Sequence, residues 1–335
     1  MSLFDPSDLS PSVHDDPELM LVKQHWLSTD PKGERFGRVL RETIDQLLDG
    51  EHTGRFDWSC LHKTEKTHAG TLVEINLLRA FSLKSGLDMD YLIEGIEVDC
   101  KFSQTPYGWM IPPEALDEIC LVVWADDSES KWSAGLLRAN RAKLTTSENV
   151  TKKGNRDGKF RLTKKDRNLV HWIWSDMPLE ENLLLHLDQE TQEAILTAGS
   201  DSKRSAGQAK VNQLFRRVQK RRINRTVIRT LAQQKDYMKR VRGDGGARDR
   251  LRDEGILICG DYPNHRMVAE TLGLPIPQEG ENVSVRVVEA KPHHGESPRV
   301  LLEGRYWVEA GPDDAHERAP LLPSTSKKRG AASED

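Results

Sequence analysis

The sequence predicts an α/β core followed by a smaller α+β domain, and three observations carry this fold class. Helical apolar stripes alternate with short strand-like runs from Phe36 to Leu137. A second set of helical stripes begins near Gly207 and gives way, past Gly245-Gly246, to several short apolar runs. Between the two sets, Asp176–Ser205 is polar and initially acidic, with one amphipathic piece at Asn182–Leu196. These shifts place the first domain at 18–175, a connection at 176–206 and the second domain at 207–320. The Ser-, Pro- and Asp-rich start and the tail from Pro320 are too poor in apolar residues to fold and are expected to be disordered.

Taken in order, helices are expected near Pro17–Trp26 and over Phe36–Leu48, with Gly50 as a C-terminal stop. Leu72, Ile75 and Leu78 follow helical spacing and place Glu74 on a helix. The stretch Asp90-Tyr91-Leu92-Ile93-Glu94-Gly95-Ile96-Glu97-Val98-Asp99-Cys100-Lys101-Phe102-Ser103 reads as a strand pair. Its second half alternates, so Glu97, Asp99 and Lys101 share one face while Val98, Cys100 and Phe102 share the other. Leu121-Val122-Val123-Trp124 suits a buried central strand, and Ser133–Leu137 the next one. Arg138 to Lys165 is a basic zone interrupted by Gly154, Asn155 and Gly158, which signal a loop.

In the second domain, Val211, Leu214, Phe215 and Val218 form one helix stripe and Val227, Ile228 and Leu231 another. Ala247–Gly255 is expected as a further helix with Ala247 and Leu251 inward, flanked by Arg248 and Arg252. Strands are expected at Ile256–Ile258, Val283–Val288, Val300–Leu302 and Tyr306–Val308. Helices followed by a small antiparallel sheet read as a winged helix-turn-helix, with Arg248, Arg250 and Arg252 on its recognition helix.

Charge is distributed unevenly. Net charge is only -4, yet Lys203–Ile256 holds 17 Lys and Arg against five Asp and Glu, so the rest of the chain is strongly acidic. A basic segment in an acidic protein is an electrostatic footprint for a phosphate backbone. No apolar run is long enough for a membrane span, and no secretory signal is visible at the start. Cys60, Cys100, Cys120 and Cys259 are too scattered for a zinc site or a disulfide framework, which points to reduced thiols and a cytoplasmic location.

The alternating strand carries the chemistry. Asp99 and Lys101, with Asp90 ahead of them, look like the D…(D/E)xK signature of metal-dependent nucleases. Hard cations such as Mg²⁺ take a few carboxylates and keep other positions for water and phosphate. Asp90 and Asp99 are candidate ligands, with the Cys100 carbonyl as a third. Lys101 would orient the attacking water and add positive charge where negative charge accumulates. Glu97 shares the face and rivals Asp99, although a solvated edge position accounts for it better.

Several longer segments resemble the NaeI-type restriction endonucleases: Ile44–Arg55, His62–Leu77, Asp90–Ser103 and Gln234–Arg242. The resemblance implies a nuclease core with a restriction-endonuclease-like mixed sheet flanked by helices. It puts the catalytic set on Glu74, Asp90, Asp99 and Lys101; Met89 stands where the broader nuclease pattern has proline. It also implies a Mg²⁺-dependent, sequence-specific homodimer cutting double-stranded DNA, whose second domain binds another copy of the site as an effector. Candidate DNA contacts are Arg138, Arg141, Lys152, Lys153 and Arg156 in the basic loop, and Lys235, Lys239, Arg240, Arg248, Arg250 and Arg252 in the second domain. In Leu47-Leu48-Asp49-Gly50 the family is locally similar to DNA ligases, but Leu47 replaces the nucleophilic lysine and adenylation chemistry is excluded. The competing reading is a DNA-binding regulator with an inactive nuclease-like domain. Intact Asp90, Asp99 and Lys101 speak against it, and plasmid cleavage with and without Mg²⁺ separates the two.

Overall fold

A computed structural model describes residues 16–140, 159–201 and 205–323. Arg141, Lys152, Lys153 and Arg156, most of the N-terminal leader and the end of the tail lie outside the described residues. The chain divides into two compact units. Residues up to Leu48 join Asp57–His186 in the first, and Asp49–Phe56 joins the residues from Leu187 onward in the second. Residues 176–186, expected in the connection, thus group with the first unit.

The first unit is built on a five-stranded mixed sheet. Its strands are β1 (Tyr91–Ile93), β2 (Ile96–Ser103), β4 (Ile119–Asp126), β5 (Lys131–Arg138) and β7 (His171–Pro178), hydrogen-bonded in the order β1-β2-β4-β5-β7. Only β2 and β4 run parallel; the other neighbours are antiparallel. Two short strands, β3 (Met110–Ile111) and β6 (Phe160–Arg161), pair separately. Glu94 and Gly95 both have positive φ (52° and 81°), the requirement of a tight two-residue hairpin that turns β1 into β2. β7 is absent from the sequence expectation, because His171-Trp172-Ile173-Trp174 is apolar without a clear alternation.

Three helices support one face of this sheet. α1 (Pro17–Thr29) starts at Asp16, whose Oδ1 accepts the Leu19 N–H at 3.0 Å. α2 (Glu34–Leu48) buries Phe36, Leu40 and Ile44. Asp49 (φ 47°), rather than Gly50, makes the left-handed stop, and Gly50 begins the one-turn helix α3 (Gly50–Thr53) of the second unit. There a Cβ on residue 50 would stand 2.1 Å from Thr230 Oγ1, so glycine is needed for close approach. α4 (Lys63–Phe81) buries Ala69, Val73, Leu77 and Phe81. That face is offset from the expected Leu72/Ile75/Leu78 stripe. α4 packs against both α2 and β2, so its apolar surface is broad, and Leu72 and Leu78 fill its margins.

The sheet therefore separates two cores. On the helix side, Trp26, Phe36, Phe81, Trp132 and Trp174 form an aromatic cluster in which Phe36 stacks on Trp132 at 5.1 Å. On the other side lie Trp109, Cys120, Val122, Trp124 and Leu137. Asp99 pairs with Cys120 and Lys101 with Val122 across β2 and β4, which assigns both to this second face.

The second unit has helices α5 (Gln189–Leu196), α6 (Ala206–Arg217) and α7 (Arg225–Ala232), the last two burying the stripes read from sequence. A four-stranded antiparallel sheet follows, made of β8 (Ile256–Gly260), β9 (Asn282–Glu289), β10 (Arg299–Leu302) and β11 (Arg305–Glu309) in the order β10-β11-β9-β8. The helix expected over Ala247–Gly255 is a single α turn, α8 (Ala247–Arg250), continued by a 3₁₀ turn to Glu254 and stopped by Gly255 (φ 79°). Ala247 and Leu251 are buried as their spacing indicates. One further helix, α9 (Pro263–Thr271), lies between β8 and β9, and Pro263 in its first turn is a signal that could have revealed it. Among the described residues no helix is long and apolar enough to cross a membrane.

Candidate active site

The site begins with the shortness of β1. Its pairing with β2 ends at Tyr91↔Val98, so Cys100, next along that edge of β2, finds no strand partner there. Its N–H is taken instead by Asp90 Oδ2 at 2.6 Å, and its carbonyl accepts Lys101 Nζ at 3.2 Å. Lys101 Nζ also donates to Asp99 Oδ1 at 2.6 Å, while the Cys120 thiol approaches Asp99 Oδ2 at 3.7 Å. Tyr91 ties this edge to α4 by donating from its hydroxyl to the Glu74 carbonyl at 3.0 Å.

All four expected catalytic residues share one electrostatic neighbourhood. Burial pushes the Glu74 carboxyl up, and the nearby Asp90 and Asp99 add to this against Lys101. Burial likewise raises the Asp99 carboxyl, with Lys101 opposing. Burial alone would lower Lys101, but Asp99 and Asp90 outweigh it and hold the ammonium charged. Asp99 thus bonds the ammonium directly, Glu74 and Asp90 act on it through charge, and the Cys100 carbonyl oxygen lies alongside. This is a hard-oxygen donor set with surplus negative charge, and it fits a divalent cation.

Glu97, on the same strand face, is occupied by backbone donors of the preceding loop. Its Oε1 accepts the Leu87 N–H at 2.8 Å and its Oε2 the Met89 N–H at 2.9 Å. Those backbone bonds, Leu87 first, hold its carboxyl below the usual range. Cys120 and Tyr91 are contributors that residue spacing alone does not single out.

The candidate DNA contacts fare differently. Arg138 is engaged with acids, its guanidinium reaching Asp16 at 2.8 Å and Glu18 at 2.7 Å. Arg248 turns inward, donating to the Ile258 carbonyl at 2.9 Å and to Asn282 Oδ1 at 3.3 Å. Burial lowers its pKa, and among the described residues no carboxylate pairs with it. Arg248→Ala is therefore expected to destabilise the second unit by about 1.5–3 kcal/mol, read by urea denaturation, rather than to weaken DNA binding selectively. Arg240 is held by Gln234 Oε1 at 2.9 Å, Lys239 by Asp236 at 3.1 Å and Arg250 by the Gly245 carbonyl at 2.7 Å. Arg252 donates to the Ala319 carbonyl at 3.0 Å, whereas Lys235 is exposed.

A second group of metal-ligating types, His293, His294 and Asp314, lies in the second unit. His294 Nδ1 accepts the Lys291 N–H at 2.8 Å, which puts the proton of the neutral ring on Nε2, 3.2 Å from Asp314 Oδ2. That nitrogen is a donor to Asp314 rather than a free ligand, and Asp314 also accepts the Gly311 N–H at 2.8 Å. The group is a hydrogen-bonded brace of the loops after β9 and β11.

Two comparisons bear on this geometry. Residues 20–318 match the family model described as restriction endonuclease NaeI. The chain is 48% identical over 313 residues to the type II restriction enzyme NaeI of Lentzea aerocolonigenes, covering 93% of this chain and 96% of that protein. With its acid–lysine cluster at the edge of a mixed sheet and a match over most of its length, the chain belongs to the NaeI family of type II restriction endonucleases.

Proposed function

We propose that this type II restriction endonuclease cleaves both strands of a specific DNA duplex with Mg²⁺ at Glu74, Asp90, Asp99, Lys101 and the Cys100 carbonyl. The observation that carries the reading is a half-buried lysine bonded to Asp99 and to the strand-edge Cys100 carbonyl, with the charges of Glu74 and Asp90 acting on the same cluster. Asp90, Asp99 and Cys100 O would hold the cation, with Glu74 adding charge beside them. When bound, the cation supplies Lewis acidity toward a phosphate oxygen and lowers the pKa of water. Lys101, held charged by its acid neighbours, orients the attacking water and offsets negative charge on the phosphate. The Cys120 thiol and the Asp99↔Cys120 register fix the Asp99 carboxylate. Plasmid cleavage with and without Mg²⁺ tests this reading, and full activity in a chelator would overturn it.

The second unit is read as a winged helix-turn-helix that binds a further DNA site. Support comes from the basic surplus of Lys203–Ile256 and from helices preceding a small antiparallel sheet. Lys235, Lys239, Arg240, Arg250 and Arg252 remain its candidate contacts, and Arg248 serves the fold instead. A palindromic site would match a two-fold homodimer. A one-site plasmid should be cut faster when a short duplex carrying the site is added. Replacing Lys235 and Lys239 with alanine should weaken that stimulation and flatten the salt dependence of binding by the second unit. Equal cleavage of one-site and two-site plasmids, unaffected by added duplex, would refute the effector role.

A further inference from the structure

We propose that Glu97 is a positioning residue that holds the Gly86–Asp90 loop, and through it the Asp90 carboxylate, at the edge of β2. The inference rests on the reading of Asp90 as a metal ligand. Both Glu97 oxygens are used by backbone donors of this loop, Leu87 N at 2.8 Å and Met89 N at 2.9 Å. Asp90 follows Met89 directly, and its Oδ2 meets the Cys100 N–H at 2.6 Å. One strand therefore grips the loop at two points, through Glu97 just ahead of Asp90 and through the Cys100 N–H at the Asp90 carboxylate itself. Apolar anchoring of the loop is slight. Leu87 is 93% exposed, and only Met89 packs partly against the core.

Gly86 gives independent support. A Cβ there would stand 2.2 Å from Glu97 Oε2 and 2.4 Å from the Met89 carbonyl, so the clasp closes only over a glycine. A residue that merely faces solvent imposes no such demand on a loop 11 residues earlier. Glutamine cannot replace the carboxylate without cost. It offers one acceptor and would turn an amide N–H₂ toward the second backbone N–H.

The test uses the full-length protein and compares Glu97→Gln, Glu97→Ala, Gly86→Ala and Asp90→Ala. Mn²⁺ binding without DNA is followed by electron paramagnetic resonance, and plasmid cleavage is followed across a Mg²⁺ titration. Melting temperatures confirm that each variant is folded. Glu97→Gln and Glu97→Ala should each weaken Mn²⁺ binding and raise the Mg²⁺ needed for half-maximal cleavage by about tenfold. Saturating Mg²⁺ should restore much of their rate, because the ligand is misplaced and not lost. Gly86→Ala should reproduce this phenotype and add little in the Glu97→Gln background. Asp90→Ala should bind Mn²⁺ poorly and remain inactive at every Mg²⁺ concentration. Glu97 variants with wild-type Mn²⁺ affinity and Mg²⁺ dependence, beside an inactive Asp90→Ala, would overturn the positioning role alone. Glu97 variants as inactive as Asp90→Ala at saturating Mg²⁺ would make Glu97 a ligand and also overturn it. An Asp90→Ala protein with unchanged Mn²⁺ binding and cleavage would remove the metal-site reading beneath the proposal.

Discussion

Asp99→Ala and Lys101→Ala are each expected to reduce plasmid cleavage by about 10³-fold or more while duplex binding persists. The first change removes a carboxylate from the proposed donor set, and the second removes the ammonium bonded to Asp99 and near the charges of Glu74 and Asp90. Neither residue belongs to the basic segment Lys203–Ile256. Stability distinguishes lost chemistry from lost fold. Burial raises the Asp99 carboxyl above its unfolded value, so its stabilising contribution belongs to the protonated form and is lost as pH rises through the raised value. Near neutral pH the ionised group is held at a cost to folding. An isosteric Asp99→Asn removes that cost but also the acid bonded to Lys101, so the melting temperature should stay near that of the wild type while cleavage is lost. Near wild-type cleavage by any of these variants in Mg²⁺ would refute the catalytic assignment.

What could be read from sequence tracks how local each cause is. Asp99 and Lys101 were legible together because a period-two strand fixes their common face whatever surrounds it. Glu74 was placed on a helix by spacing, but its approach to Asp90 depends on how α4 packs against β2, and only the family resemblance supplied that. The Asp90–Cys100 contact was hidden because it follows from β1 being three residues long. The hydrogen bonds of Glu97 were hidden for a similar reason: its partners are backbone N–H groups of a loop, which no side-chain pattern records. Arg248 looked like a flanking residue at helical spacing. The short α8 and the neighbouring β8 instead gave its guanidinium a carbonyl inside the fold. The α/β class survived these errors because strand and helix periodicities in Phe36–Leu137 are independent of any one contact.

The other large effect concerns Arg41, a charged residue buried on α2. Arg41→Ala should lower the stability of the first unit by about 3–5 kcal/mol at neutral pH. The Arg41 side chain is 4% exposed and bonds Asp45 at 2.8 Å and also Asp127, whose Oδ2 accepts the Asn182 amide at 2.8 Å. The network thus pins α2 to the turn between β4 and β5 and to the segment that follows β7. Burial already raises the Asp45 carboxyl despite Arg41, so without the guanidinium both acids would be left buried with like charge between them. In the variant the folded pKa of Asp45 should rise further. Its ionised form then opposes folding above that value, and protonation relieves the cost as pH falls. The deficit relative to wild type should be larger at pH 7 than at pH 5. Urea unfolding followed by tryptophan fluorescence reads this directly, because seven of the eight tryptophans lie in the first unit. Asp127→Asn in the Arg41→Ala background should recover part of the loss, since it removes one of the stranded charges. A loss of the same size at both pH values, with no recovery from Asp127→Asn, would mean that Arg41 acts through packing of its aliphatic stem and not through charge.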